Sequence, residues 1–269
     1  MTTVKQHIFD LQSTHNKARY LLPIEPHICV GPPERQFLFG GVGLAAAISA
    51  LEAASDRPVV WATGQYLSYA RPGETLDLDV KMPVIGNQIT QARVVAHVED
   101  REIFTVNGAL GRRDMLQAGQ WAAMPDTEPP EFYPTIRVWE GRNDLHSNIE
   151  TRLVKGRYGE ERNTGVPSED GHIVMWVRMK NDYPINAGAL AIIADFVPSA
   201  TGHALGMDAG ANSLDNTVRL VGIVPTKWVL CDIRIHGIKG GFVHGRMLIF
   251  AETGELMATA SQSAILRVW

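Results

Sequence analysis

The residue whose chemistry its surroundings least explain is Asp195, set in the run ALAIIADFV. A carboxylate inside an otherwise apolar helix must be paired, turned to an exposed edge, or functional, because burying it alone is costly. Polar side chains gather at two further places near strands expected to pack on that helix. These are Asn212-Ser213-Leu214-Asp215-Asn216 and Ser261-Gln262-Ser263.

Other candidate chemistry is weaker. Gly41-Val42-Gly43-Leu44-Ala45-Ala46 fits the G-x-G-x-x-A form of a dinucleotide fingerprint and opens a helix. A Rossmann unit needs a parallel strand next, with an acidic residue about 20 positions on. Here Ser55-Asp56-Arg57-Pro58 leads into an antiparallel meander, so close helix–sheet packing explains the glycines more simply. The chain has no G-x-S-x-G, H-E-x-x-H, P-loop or C-x-x-C string. Cys231 falls on an inward strand stripe, and His203, His236 and His244 lack close metal-ligand spacing. Neither a metal nor a cofactor is expected.

The elements that must position these residues come in two similar sets. GLAAAISALEAA, Gly43 to Ala54, reads as a helix with Leu44, Ala47, Ile48 and Leu51 on one stripe and Glu52 as its one charge. A strand follows, in which Leu76, Leu78, Val80 and Met82 alternate with Asp77, Asp79 and Lys81. Later an apolar helical run from Ala187 to Val197 precedes a strand with Val229, Cys231, Ile233 and Ile235 on one face and Leu230, Asp232, Arg234 and His236 on the other. Pro72 and Pro225, Asp79 and Asp232, Arg93 and Arg246, Glu99 and Glu252, and Glu102 and Glu255 all lie 153 residues apart. A constant, gapless offset implies a duplicated unit of one helix and about four strands. Residues 114–143 separate the copies, with four prolines in MPDTEPPEFYP, and are expected to be a linker between units 1–113 and 144–269. SNIETRLVKGR and GHIVMWVRMK are strand candidates that lead into the second helix.

Composition narrows the class. With 45% hydrophobic and 20% charged residues, the 269-residue chain has an ordinary globular mix. Its net charge of −4 lacks the basic excess that commonly accompanies nucleic-acid binding. Two cysteines, Cys29 and Cys231, point to a reducing compartment. The start has no secretory core and no run approaches the ~20 apolar residues of a membrane span, so a cytoplasmic location without a membrane span is expected.

FLFGGVGLAAAISAL, YARPGETLDLDV, ALAIIADF, NSLDN and ATASQSAILR, in this order, resemble the acyl-CoA thioesterase II family. The resemblance implies an α+β double hotdog: two tandem units, each a curved antiparallel sheet wrapped around a central helix. It also implies hydrolysis of an acyl-CoA to free acid and CoA. The family's Asp, Ser or Thr, and Gln carry over onto Asp195, Ser213 and Gln262 as catalytic residues. Asp195 would be the general base or orient a water, Ser213 would hydrogen-bond that water, and the Gln262 amide would fix it or polarise the carbonyl. The family's usual S-L-D-H is here Ser213-Leu214-Asp215-Asn216, and its F-G-G-Q is Phe39-Gly40-Gly41-Val42. Both departures bear on acyl specificity.

Two other readings compete. A hotdog enoyl-CoA hydratase would need a loop such as G-D-x-N-P-x-H, and no such string occurs. A non-catalytic acyl-CoA or lipid binder would not need the Asp, Ser and Gln set. The offset places Val42, Val60 and Ala109 opposite Asp195, Ser213 and Gln262, so one active site per chain is expected, in the second unit. Arg71, Arg112, Arg113, Lys227 and Lys239 are the candidates for binding CoA phosphates. The two units are expected to share one sheet, and the resemblance is compatible with a homo-oligomer.

Overall fold

The computed structural model describes residues 8–136 and 143–269. The first seven residues and positions 137–142 of the expected linker lie outside it. The strands are β1 (Gln12–Ser13), β2 (Arg19–Pro23), β3 (Cys29–Val30) and β4 (Phe37–Leu38), then β5 (Val59–Tyr66), β6 (Thr75–Ile85), β7 (Ile89–Val98) and β8 (Arg101–Gly111). They continue with β9 (Ile149–Lys155), β10 (His172–Met179), β11 (Ala209–Ser213), β12 (Asp215–Leu220), β13 (Val229–Lys239), β14 (Phe242–Ala251) and β15 (Leu256–Val268). The helices are α1 (Gly40–Ser55), α2 (Ala187–Ala194) and α3 (Thr201–Leu205).

One antiparallel sheet runs β1-β2-β6-β7-β8-β5-β12-β15-β14-β13-β10-β9, with β11 alongside β15 and β3–β4 a separate ribbon. Its middle seam pairs β5 with β12, from Trp61 opposite Arg219 to Gln65 opposite Asp215. Outward from the seam, β5, β8, β7, β6 and β2 on one side match β12, β15, β14, β13 and β10 on the other. The offset of 153 carries β7 onto β14 end for end.

The helices depart from the expected pattern. α1 is longer than its apolar run, spanning Gly40–Ser55 and capped by Asp56 in the left-handed region. Residues from Gly41 to Leu51 are buried on nearly every side, because α1 packs on β5, β6, β7 and β8 and against α2. The expected second helix instead stops at Ala194, after Asn186 has capped its start by accepting from the Ala189 N–H at 2.9 Å. Pro198 lacks an N–H and cannot bond to the carbonyl four residues back, so the chain continues as a 3-10 turn, Val197–Ala200, before α3. The helical run Ala187–Leu205 is long and apolar enough to cross a membrane by length and composition alone. It is 72% buried within the protein, as a core helix is. Because α1 and α2 start 147 residues apart, the offset of 153 does not hold through the helices, and Val42 is not level with Asp195.

The Pro-rich segment is a strap. Ala122, Met124 and Tyr133 pack on Val174, Trp176, Trp228, Leu230 and Phe250, on the sheet face turned away from the helices. Trp176 Nε1 donates to the Glu128 carbonyl at 3.1 Å, and Gln120 bonds the Gly254 carbonyl and the Leu256 N–H at 2.9 and 2.7 Å. This cover explains why Val229 to Ile233 is buried on both faces where simple alternation was expected. Asp232, on the covered face, is paired with His172 Nε2 at 2.7 Å.

Gly43 marks a tight helix–sheet approach, since a Cβ there would stand 2.7 Å from Phe104 Cε1. Gly43→Val is therefore expected to lower the unfolding free energy by about 1–3 kcal/mol, read from the urea midpoint, whereas the same change at exposed Gly222, where a Cβ meets nothing within 4 Å, leaves this packing untouched.

Candidate active site

Asp195 owes its position to the break it sits in. It is the C-terminal cap of α2, with φ −82° and ψ 13°, and its N–H reaches back to the Ile192 carbonyl at 3.2 Å. Its side chain points at the start of α1, where the Gly41 N–H donates to Oδ2 at 2.6 Å. A Cβ on Gly41 would come within 2.8 Å of both Asp195 Cβ and the Ile192 carbonyl, so glycine is what lets the two helices meet.

Ser213 ends β11, where the sheet is interrupted at Leu214. The Leu214 N–H bonds the Ser263 carbonyl, its carbonyl accepts from Tyr66 N–H, and Asp215 Oδ1 accepts from Ser263 N–H at 2.7 Å. Gln262 lies on β15 opposite Gly245, whose missing side chain admits Val197 of the 3-10 turn. The structure brings all three sequence-derived residues together. Ser213 Oγ donates to Asp195 Oδ1 at 3.2 Å, Gln262 Nε2 donates to the same oxygen, and Gln262 Nε2 also lies 3.1 Å from Ser213 Oγ.

Asp195 is only 5% exposed and Gln262 only 4%. Burial raises the Asp195 pKa from 3.8 to about 7, against the opposing effect of the hydrogen bonds from Gln262, Gly41 and Ser213. Three donors hold a carboxylate that has about four lone-pair sites, so one acceptor position remains. A carboxylate poised near neutral pH with an open acceptor site can take a proton from a bound water.

Sequence reasoning assigned the site to the second unit, yet α1 supplies the Gly41 amide and β5 supplies Tyr66. A Cβ on Gly40 would stand 2.9 Å from both Asp195 Oδ2 and Tyr66 Cζ, so carboxylate and phenol face each other across the space of one methyl group. Asn216, one of the two noted departures, is fully buried in β12; the other, Val42, is fully buried in α1. The sequence marked Gly41 only as a close-packing glycine and did not mark Tyr66 at all, because their proximity to Asp195 is set by helix packing and by the seam.

The remaining candidates lie apart from this cluster. Arg71, Arg112, Arg113, Lys227 and Lys239 are all exposed, and none has a side-chain bond to the site. Cys29 and Cys231 are buried and unbridged, and burial pushes the Cys29 thiol up to about 12. His203 is buried and accepts from Arg157 Nε at 3.3 Å, while His244 lies 3.2 Å from Ser263 Oγ. Among the described residues, Asp77, Asp79 and His97 form one group with metal-ligand proximity, already cross-linked by the Arg19–Asp77 and His97–Asp79 contacts.

Comparison with known proteins gives this arrangement a class. Residues 120–266 match the family described as acyl-CoA thioesterase C-terminal domain. A crystal structure of a candidate thioesterase from Novosphingobium aromaticivorans superposes with a TM-score of 0.85 at 35% identity, covering 96% of this chain and 98% of that one. A hot dog fold protein of unknown function from Alicyclobacillus acidocaldarius gives 0.83 at 17% identity, with 97% and 96% covered. Acyl-CoA thioesterase II TesB2 from Mycobacterium marinum gives 0.72 at 20% identity, with 97% and 95% covered. A search of the curated proteins returned no match. The fold is a hotdog fold, and the bond that enzymes of this class break is a thioester. This chain belongs to the acyl-CoA thioesterase family.

The raised Asp195 pKa carries a stability consequence. Above about pH 7 the folded state holds a buried charge that the unfolded state solvates freely, and below pH 3.8 the carboxyl is neutral in both. Asp195→Asn removes this pH-dependent penalty, so its thermal midpoint relative to the parent is expected to rise from pH 4 to pH 8, by up to about 4 kcal/mol of stability. Calorimetry over that range checks it; a difference independent of pH would mean that Asp195 ionises without penalty.

Proposed function

We propose that the chain hydrolyses an acyl-CoA thioester to the carboxylic acid and CoA, with Asp195 as general base and Ser213 and Gln262 holding and orienting the attacking water. The observation that carries this reading is the convergence of hydroxyl and amide donors from two different elements on one oxygen of a carboxylate whose pKa lies near neutrality. Asp195 takes a proton as the water oxygen attacks the carbonyl carbon. The tetrahedral intermediate collapses by breaking the carbon–sulfur bond, and the thiolate of CoA regains the proton from Asp195.

We also infer that the architecture is a double hotdog, with units 1–113 and 144–269 each bending its sheet around its own helix and one catalytic set per chain. The mirrored strand order about the β5–β12 seam supports this reading.

Asp195→Asn is expected to lower kcat by about 10²–10⁴-fold in a thiol-release assay, and Ser213→Ala by less, because water can partly replace a hydroxyl. Since the base must be ionised, kcat should rise with pH through a limb near 7. A folded Asp195→Asn protein with the parent rate would refute the assignment. Titration with a non-hydrolysable acyl-CoA analogue should give one site per chain.

A further inference from the structure

The Asp195 cluster accounts for the water, but the other reactant also needs a partner: a thioester carbonyl whose oxygen becomes negative at attack requires a hydrogen-bond donor. A helix N-terminus is a ready source, yet at α1 the Gly41 N–H is engaged by Asp195, and those of Val42 and Gly43 bond the Phe39 carbonyl at 3.0 and 3.1 Å. These three amides are unavailable to the substrate.

Among the described residues, four buried polar atoms around the carboxylate have no hydrogen-bond partner: Tyr66 Oη, both polar atoms of the Asn216 amide, and Gln262 Oε1. They divide by chemistry. Gln262 Oε1 can only accept, which suits a proton of the water; the Tyr66 hydroxyl and Asn216 Nδ2 can donate, which suits a carbonyl oxygen. Their positions are fixed by the seam. Asn216 pairs with Gly64 two residues before Tyr66, and the next pair along, Thr217 with Ser261, sets Asn216 beside Gln262. Burial, reinforced by the charge of Asp195, holds the Tyr66 pKa well above 10, while the nearby Asn216 amide pulls it down. Tyr66 therefore keeps its proton wherever Asp195 is ionised, and Asn216 stands on the same face of the seam beside it.

We propose that Tyr66 is a further catalytic residue, its hydroxyl donating to the carbonyl oxygen of the bound thioester, and that Asn216 is the positioning residue that turns this hydroxyl toward the substrate. The inference rests on the reading of Asp195 as the base. As water attacks, the carbonyl π pair moves onto oxygen and strengthens the bond from Tyr66. No proton leaves the phenol, and the pair returns when the carbon–sulfur bond breaks.

The test uses the full chain and an acyl-CoA panel with thiol release, comparing Tyr66→Phe, Asn216→Ala, the double variant and Asp195→Asn. Tyr66→Phe is expected to lower kcat by about 10²-fold with KM and the acid limb of the pH profile unchanged. Asn216→Ala should lose less, and the double variant should be no worse than Tyr66→Phe, since Asn216 acts through the phenol. The proposal is overturned if Tyr66→Phe keeps the parent kcat or if its loss lies wholly in KM. It is equally overturned if the acid limb moves to higher pH with the plateau retained, which would make Tyr66 a donor to Asp195. If Tyr66→Phe does not fold by circular dichroism, Asn216→Ala decides by the same readout, an unchanged kcat overturning the proposal. The parent rate in Asp195→Asn would bring down the reading of Asp195 as the base, whereas a strongly impaired Asp195→Asn beside a fully active Tyr66→Phe would remove only the role of Tyr66.

Discussion

At the centre of the molecule the amide at the start of α1 meets a carboxylate at the broken end of α2, 2.6 Å apart and shielded from water. The positive end of one helix there faces a negative group set at the negative end of another, and the bond offsets part of the cost of burying that group. Much of the local architecture follows from this contact. Position 41 must be glycine for the helices to touch, position 40 must be glycine to leave room between Asp195 and Tyr66, and Pro198 must end α2 so that Asp195 turns inward. Gly245 makes room for the turn that follows.

The seam between β5 and β12 does for the sheet what that contact does for the helices. It joins halves that would otherwise present open edges, and it is knit by side chains as well as backbone, with Thr63 and Thr217 hydroxyls 2.7 Å apart. A strand of the first half thereby delivers Tyr66 to a cluster built mostly from the second. Although Asp195, Ser213 and Gln262 all come from the second half, the environment that sets the carboxylate's pKa belongs to both.

The outer faces of the two halves have diverged. In the second half Trp176, Trp228, Leu230 and Phe250 form an apolar surface that the Pro-rich strap covers, and Arg152 and Arg178 stack on the Trp228 ring at 5.0 and 4.8 Å. At the corresponding positions in the first half stand Leu21, Thr75, Asp77 and His97, where Asp77 is ion-paired with Arg19 and His97 hydrogen-bonds Asp79. A charged face can remain in water, whereas an apolar one of this size needs a cover. The prolines suit the strap because a segment lying across a sheet face makes no ladder hydrogen bonds.

The sequence by itself determined what depends on local pattern. Alternation at Leu76, Leu78 and Val80 gave the strand and its inward face, the largely apolar run from Gly43 gave a buried helix, and the offset of 153 paired the strands of the two halves. It also marked Asp195, because one carboxylate in an apolar run is anomalous on any fold, and family resemblance added Ser213 and Gln262. Only the tertiary structure decided the rest, because distance in space is not written in spacing along the chain. The offset slipped at the helices, where α2 starts early and breaks at Pro198. Val229 to Ile233 lost its alternation because a distant segment covers its second face. Gly41 and Tyr66, 154 and 129 residues from Asp195, reach it only because two helices abut and two halves share a seam.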